Sequence, residues 1–554
     1  MQQALPVIRV GQARVTAGLD RYGRLDMAAH RAEFGTVPAL SAPDLIRICE
    51  QVDLRGRGGA AFPVGRKLRS VMAATRQGKR RPVIVVNGAE GEPGSVKDKM
   101  LLARSPHLVL DGALLAARAL NAREIVIAVA GNGPHLESVS AAVAADSAAA
   151  RITRVVSVPD RFISGESGAL VNALNGKSAL PPGEKIRTSE TGVRGLPTLL
   201  QNAETYAQLA VLAMLGPAGY ASVGLEREPG TVLVTVGGSV ARPAVVEAPA
   251  GEPLGHILDI CGAYQPQGVL IGGYHGMWLT PEDAYQASVS RTGLAAAGGT
   301  LGAGIVLVLG QQTCPLGEVS RVASYLAMQS SGQCGPCKLG LPAVARALAA
   351  ITSGAGGMDD LEAVRRGASG VVGRGACAHP DGTANFVVSA LDAFSADLSE
   401  HMFRGRCGRP VHEVLPLPDE TSQEPETRLQ VDWTRCGGHG LCARLVPELI
   451  QLDQHGYPEF LDAPVPFWLA KDARQAVEMC PALALSLTKS PVTPRAVAPA
   501  PAPAIGAGPL PARPAIVAQT GPPPKTKKGR LKNDLAVSAA WIATIGGRDP
   551  AGRG

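Results

Sequence analysis

Aromatic side chains are scarce in this sequence, 4% of 554 residues, and charged ones reach only 18% against 45% hydrophobic. A chain with that much apolar material and so little charge is not disordered throughout, and the few aromatics with 66 Gly and 44 Pro point to many loops and some linker. No stretch approaches the roughly 18 consecutive apolar residues of a membrane-spanning helix, and Met1 to Asp20 lacks an apolar run of signal-peptide length, so a cytoplasmic protein is expected. The net charge is a modest +7, and part of it sits in the tail run Lys525, Lys527, Lys528, Arg530 and Lys532, which reads as a solubilising tail, with no nucleic-acid partner expected.

A disulfide framework is also missing. Ten cysteines in a large chain without a secretory signal are expected to stay reduced. Their grouping carries the information: Cys334 and Cys337 form a C-x-x-C with Cys377 downstream, and Cys436, Cys442 and Cys480 form a second set. Cys49, Cys261 and Cys314 stand alone and read as small buried hydrophobes.

At this length several domains are expected. Residues 1–229 alternate β-branched runs such as Val83-Ile84-Val85-Val86 and Ile125-Val126-Ile127 with the helical periodicity of Leu108 to Leu120, the pattern of an α/β layer domain. Thr231 to Gly238 opens a compact region of short strands, read as a β-grasp-like, soluble-ligand-binding domain over 230–285 with its strands ending near Leu279. An α-helical cluster domain is expected over 286–411, with helices at Glu318 to Met328 and Leu341 to Ile351 flanking the C-x-x-C. A polar linker (412–428), a small α+β domain around the second cysteine set (429–489) and a Pro/Ala-rich, basic tail (490–554) complete the chain, with a short helix possible at Asp534 to Ile545.

Two glycine-rich loops carry the chemistry of the first domain. Gly56-Arg57-Gly58-Gly59-Ala60-Ala61-Phe62-Pro63 precedes Lys67, and Asn87-Gly88-Ala89-Glu90-Gly91-Glu92-Pro93-Gly94 follows an apolar strand, where α/β proteins place ligands. Glycine lets backbone amides approach a phosphate or flavin edge, and a nearby Lys or Arg balances charge. One such loop alone is usually only a turn. With Ile163-Ser164-Gly165-Glu166 and Pro197-Thr198 before Asn202-Ala203-Glu204-Thr205, the set resembles the flavin-bearing component of respiratory complex I and its relatives in NAD-linked hydrogenases and formate dehydrogenases, over roughly Leu40 to Cys407.

That resemblance implies FMN held by Gly56, Arg57, Gly58, Gly59, Lys67, Asn87, Glu90, Gly165, Glu166 and Asn202, with Phe62 and Glu92 on the nicotinamide side. The chain departs from the family pattern at Ala89, Phe162, Ser167 and Gln201, where the family has Asp or Glu, Tyr, an acidic residue and Asn. Aromatics expected near Ser70 and Gly183, and a Lys near Leu180, are absent, which costs roughly 1 to 3 kcal/mol per lost ring by analogy with base stacking and predicts weak NADH binding.

Ser330-Ser331-Gly332-Gln333-Cys334-Gly335-Pro336-Cys337 resembles the family's cluster loop with Ser331 in place of its first cysteine, and Cys377 matches the distal ligand. Soft thiolates suit iron–sulfur clusters. Three cysteines hold either a 3Fe-4S cluster or a 4Fe-4S cluster completed by Ser331, water or another thiolate such as Cys407; a lost cluster or a zinc site are the alternatives. Cys436-Gly437-Gly438-His439-Gly440-Leu441-Cys442 with Cys480-Pro481 resembles the single-cluster ferredoxins of actinobacteria, with His439 where a 4Fe-4S ferredoxin has its second cysteine; a 3Fe-4S or 4Fe-4S cluster is implied, a zinc knuckle being the alternative. His275 reads as a hydrogen-bonding residue, and no catalytic side chain is assigned.

The sequence thus predicts an oxidoreductase that passes electrons from a two-electron donor through FMN and clusters to a one-electron acceptor protein, working with other redox subunits or a membrane-bound reductase that would hold it at the inner face of the membrane. An iron–sulfur bridge that has lost NADH, and a structural or assembly subunit, are the rivals.

Overall fold

The computed structural model describes residues 5–490 apart from 79, 132, 184–186, 419–425, 448, 461–464 and 466–468. The expected tail, with its possible helix at 534–545, lies outside the described residues beyond 490.

The first layer is a parallel four-stranded sheet in the order Thr153–Val158, Glu124–Ala130, Val83–Gly88, Thr198–Asn202. Val83 to Val86 are fully buried, the near-continuous apolar run that a parallel strand covered by helices requires. Helices Pro106–Ala119 and Ala203–Tyr220 pack so closely that a Cβ at Gly112 would lie 1.9 Å from the Tyr206 carbonyl; only glycine permits that crossing.

A mixed six-stranded sheet follows, in the order Val7–Arg9, Ala244–Pro249, Thr231–Gly238, Ile305–Gly310, Pro266–Ile271, Met277–Leu279. Its membership differs from the sequence boundaries at both ends. Val7–Arg9 pairs in parallel with Ala244–Pro249, although residues 1–229 read as one domain, because the buried Glu247 carboxylate accepts the amides of Arg14, Val15 and Thr16 and draws the N-terminal segment onto this sheet. Ile305–Gly310, beyond 285, lies beside Thr231–Gly238 with every residue buried.

Helices Pro315–Met328, Leu341–Ser353, Met358–Val371, His379–Ala393 and Ser395–Arg404 enclose a core containing Leu326, Leu348, Val364 and Phe386. Cys334 and Cys337 fall between the first two helices, as their spacing predicts, and Pro336–Gly340 forms a single π-helical turn of the kind often found at functional sites. The last described region pairs Glu426–Val431 with Leu485–Ser490 and Ile450–Leu452 with Pro458–Phe460 around a small core of Val446, Ile450, Leu469 and Ala473. Among the described residues no single helix is long and apolar enough to cross a membrane.

The expected linker is shorter than its composition suggests. The fully buried carboxylate of Glu318 accepts the amides of His412, Val414 and Leu415 and the hydroxyl of Thr313, and Tyr274 donates to the Pro416 carbonyl. Residues 412–416 are therefore fastened to the core. Removing an acceptor shared by several buried donors costs about 3 to 5 kcal/mol, so Glu318→Ala is expected to lower stability by that amount and to open new protease cleavage between Pro410 and Pro418, measured by denaturant titration and limited proteolysis.

Candidate functional site

The two glycine-rich loops meet where the parallel sheet changes direction. Val83–Gly88 lies between Glu124–Ala130 and Thr198–Asn202, and ligands in open α/β sheets bind at the carboxyl ends of strands at such a switch point. Asn87 and Asn202 are register partners at those ends. Asn87 donates to the Gly165 carbonyl at 2.9 Å and accepts from the Ala89 amide, which locks the second loop to the 162–166 turn. The contact leaves no room for side chains: a Cβ at Gly165 would lie 2.7 Å from the Ala89 carbonyl, and one at Gly91 2.2 Å from that of Arg161. Gly58 sits over Asn202, its Cβ position 3.2 Å from that of the asparagine, and Gly59 has φ of +101°. Gly56 and Arg57 anchor the first loop through amide bonds to the Phe62 carbonyl and the Thr205 hydroxyl.

Charged groups surround this cradle. Lys67 donates to the Leu200 carbonyl, and burial pushes its amine down to about 8. Glu166 caps helix Ser167–Leu174 by accepting from Ala169. Glu92 is half-buried, accepts the Tyr274 amide at 2.7 Å and is pushed up to about 8 by desolvation, so it holds its proton near neutrality. Phe62 is 46% exposed, with the Arg66 guanidinium 5.8 Å from its ring centre.

Beneath the loops lies an ion network that sequence reasoning left out of the site. Lys97, 2% exposed, pairs with Asp98 at 3.1 Å and Glu204 at 3.0 Å, and Arg57 stands 3.9 Å from Glu204. Burial opposes the Lys97 charge, but Asp98 and Glu204 outweigh it and raise its pKa. Asn202 donates to Asp98 at 2.6 Å and accepts from the Glu204 amide, while Glu90 accepts the amides of Asp98 and Lys99 and the Ser95 hydroxyl. Glu90 and Asn202 thus use these polar atoms to build the floor of the cradle. Nothing in the local sequence marks Lys97, Asp98 and Glu204 as buried, since Ser95, Lys99, Asn202 and Thr205 beside them are polar too. A cavity of about 260 Å³ borders the first glycine loop and the ion network, lined by Gly56, Arg57, Gly59, Lys97, Glu204 and Arg291, and does not reach Phe62, Asn87, Gly165 or Glu166.

The cradle suits a planar polar ligand. Gln201 Nε2 and Ser164 Oγ are buried without a hydrogen-bond partner at its edge, and Lys67 supplies the cation that a phosphate needs.

The cluster loop lies close by. Cys334 and Cys337 have their sulfurs 3.6 Å apart, and Ser331 Oγ is 3.8 Å from the Cys337 sulfur. The Cys377 thiol is pushed up to about 11 by burial, with the charges of Cys337, Glu166 and Cys334 adding to it, so the distal cysteine shares the field of the other two and of the flavin loop. These residues fit a metal cluster, which would neutralise the thiolates that burial otherwise disfavours. Phe162 meets His275 and His379 edge-on at 4.8 and 5.6 Å, and His275 is hydrogen-bonded to His379 at 2.9 Å, in keeping with its expected structural part. Cys407 stands beside Cys314 and His401 instead.

In the last region Cys436, Cys442 and Cys480 are part-buried. Burial raises the Cys442 thiol, and Cys436 and Cys480 reinforce it. The Ala484 amide donates to the Cys480 sulfur at 3.4 Å, while His439 folds its ring against Gly437. Lys338 of the first cluster loop lies 3.9 Å from Asp472.

Three stretches of the chain match family models. Residues 49–211 match the Nuo51 FMN-binding domain, 318–401 the NADH-ubiquinone oxidoreductase-F iron-sulfur binding region, and 429–487 the 4Fe-4S single cluster domain. The chain is 31% identical to the F subunit of NADH-quinone oxidoreductase from Streptomyces coelicolor over 389 residues, 67% of this chain and 85% of that one. It is 29% identical to the F 2 subunit of NADH-quinone oxidoreductase from Rhizobium meliloti, covering 67% and 90%. An NAD+-reducing [NiFe]-hydrogenase in the air-oxidized state superposes with a TM-score of 0.64 at 25% identity, over 72% of this chain and 68% of that one. The chain belongs to the NADH-quinone oxidoreductase F family, a family of FMN and iron–sulfur oxidoreductases, and carries a single-cluster ferredoxin domain after that region.

Proposed function

We propose that this chain oxidises NADH at an FMN held between the 56–59 loop, the 87–92 loop and the 165–166 turn, and delivers single electrons through the Cys334–Cys337–Cys377 site to the ferredoxin domain and a one-electron acceptor protein. The observation that carries this reading is the convergence of both glycine loops, Lys67 and the unpartnered Gln201 on one crevice whose 162–166 turn also packs against the cluster domain. Bound there, FMN takes an electron pair and gives electrons up singly, which clusters alone cannot do.

The chain's own residues position and tune. Gly58 and Gly59 would admit a ring edge to the backbone, Lys67, now donating to the Leu200 carbonyl, would be the cation for the phosphate, and the neutral Glu92 carboxyl would keep negative charge away from the donor side. Ser331, 3.8 Å from Cys337, is placed to complete the ligand set that Cys334 and Cys377 share. We assign 230–285 with its added strand as the β-grasp-like domain, 286–411 as the helical cluster domain and 429–489 as the α+β ferredoxin. The relatives are named as subunits of a quinone oxidoreductase, and on that ground this chain is expected to work with partner redox subunits.

Purified without oxygen, the protein should release about one FMN per chain on denaturation, and NADH should bleach flavin and cluster absorption. A chain that binds clusters but takes up no flavin would be an electron bridge and would overturn the reading. Cys442→Ala should remove the ferredoxin cluster, leave flavin reduction intact and sharply slow transfer to the acceptor; unchanged transfer would place the exit elsewhere.

Two further outcomes follow from the donor side. With Phe62 the one expected stacking aromatic present, Phe62→Ala should raise KM for NADH about ten- to hundredfold, with a smaller change in kcat. Glu92 has a folded pKa near 8, above its ordinary 4.5, so above pH 4.5 the unfolded chain gives up a proton that the folded one keeps, and stability falls as pH rises toward 8. Glu92→Gln should therefore melt higher than wild type at pH 8 and close the gap toward pH 5, at up to about 1.4 kcal/mol per pH unit.

A further inference from the structure

Outside the expected cluster sites, Cys314, His401 and Cys407 bring their ligand atoms within 4.8 Å of one another, the one such group of His, Cys or carboxylate among the described residues. These residues lie 87 and 6 positions apart along the chain, and nothing in the sequence pattern joins them.

Each ligand is fixed independently. Cys314 is the N-cap of helix Pro315–Met328, its sulfur accepting the Gly317 amide at 3.2 Å, and its own amide donates to the Pro410 carbonyl at 2.8 Å. His401 lies in the last turn of helix Ser395–Arg404, 4% exposed, with Nε2 3.2 Å from the Cys314 sulfur. The helix ends at Gly405 in a left-handed conformation, and the chain doubles back through Gly408, also at positive φ, which returns Cys407 over the histidine. The ion pair of Arg409 with Asp397 and its bond to Gln267 at 2.8 Å hold that return in place.

The second ring nitrogen of His401 also has a candidate partner. Gly317 donates to the Cys314 sulfur, which also shares a hydrogen bond with His401 Nε2. Nδ1 is buried without a full hydrogen bond, and the Ile351 carbonyl beside the ring is its available acceptor. A metal-bound histidine typically has this arrangement, one nitrogen on the ion and the other on a backbone carbonyl.

We propose that Cys314, His401 and Cys407 bind one Zn2+ ion, with the part-exposed side of Cys407 leaving the fourth position to water. Binding displaces one proton from each thiol, and Zn2+ with two thiolates and a neutral imidazole carries no net charge, which a buried setting tolerates. Tetrahedral zinc with these ligands spaces them roughly 3.5 to 3.8 Å apart, a small adjustment from the present arrangement. The ion clips the 405–410 return to the start of helix Pro315–Met328, upstream of the Glu318 clasp. This assignment does not depend on the flavin reading.

The test is metal analysis of the full-length protein, incubated with equimolar Zn2+ and desalted, with zinc and iron counted together. Wild type should retain about one zinc per chain; Cys407→Ser and His401→Gln should retain almost none, while iron and the visible spectrum stay at wild-type level. The part-exposed Cys407 thiol should resist alkylation only when zinc is present. Zinc retention equal in wild type and Cys407→Ser, or a Cys314–Cys407 disulfide in place of free thiols, would overturn the site. Since a single variant could lose zinc by misfolding, the alkylation pattern of unmutated protein with and without zinc decides independently.

Discussion

The buried ammonium of Lys97 is the interaction on which the arrangement of the flavin cradle rests. A cation at 2% exposure is tenable only with its partners in place, and those partners come from different parts of the chain: Asp98 beside it, Glu204 at the start of helix Ala203–Tyr220, and Asn202 bridging to Asp98. Glu204 also accepts the Leu233 amide of the mixed sheet, and Arg57 of the first glycine loop reaches both Glu204 and the Thr231 carbonyl. One charge thereby ties the first loop, the second loop, the parallel sheet and the mixed sheet to a common point. Replacing such a cluster wholesale with apolar groups can be neutral, but removing one member leaves a buried charge without compensation. The network is therefore better understood as a device for fixing geometry than as a source of net stability.

The same logic recurs down the chain. Glu247 gathers Arg14, Val15 and Thr16, and Glu318 gathers His412, Val414 and Leu415, each a buried carboxylate whose desolvation is offset by several backbone amides. These clasps fasten segments that have little core of their own. They also explain why composition misjudged both places: a polar, proline-containing stretch reads as free linker, and an N-terminal strand reads as part of the nearest domain, because the residue that captures each is hundreds or scores of positions away.

What the sequence made legible was local. The alternation of Val83 to Val86 with helical segments gave the parallel sheet, the glycine spacing gave the cradle, and the cysteine spacing gave both cluster loops. What it did not show depended on three dimensions: that Glu90 and Asn202 face the ion network, that Ile305–Gly310 completes the mixed sheet, and that Cys314, read as a lone hydrophobe, meets His401 and Cys407. Charge in an apolar context was an overlooked signal at Glu247, set in Ala244-Val245-Val246-Glu247-Ala248, where burial is costly unless long-range partners exist.

If Lys97 holds the two glycine loops in register for the flavin, the flavin retained per chain during denaturant titration of Lys97→Met will show it. Loss of the shared cation should destabilise the protein by about 3 to 5 kcal/mol and release flavin well before global unfolding, while the Cys334 loop keeps its cluster spectrum. A variant that unfolds within about 1 kcal/mol of wild type and releases flavin only as the whole chain melts would contradict the account.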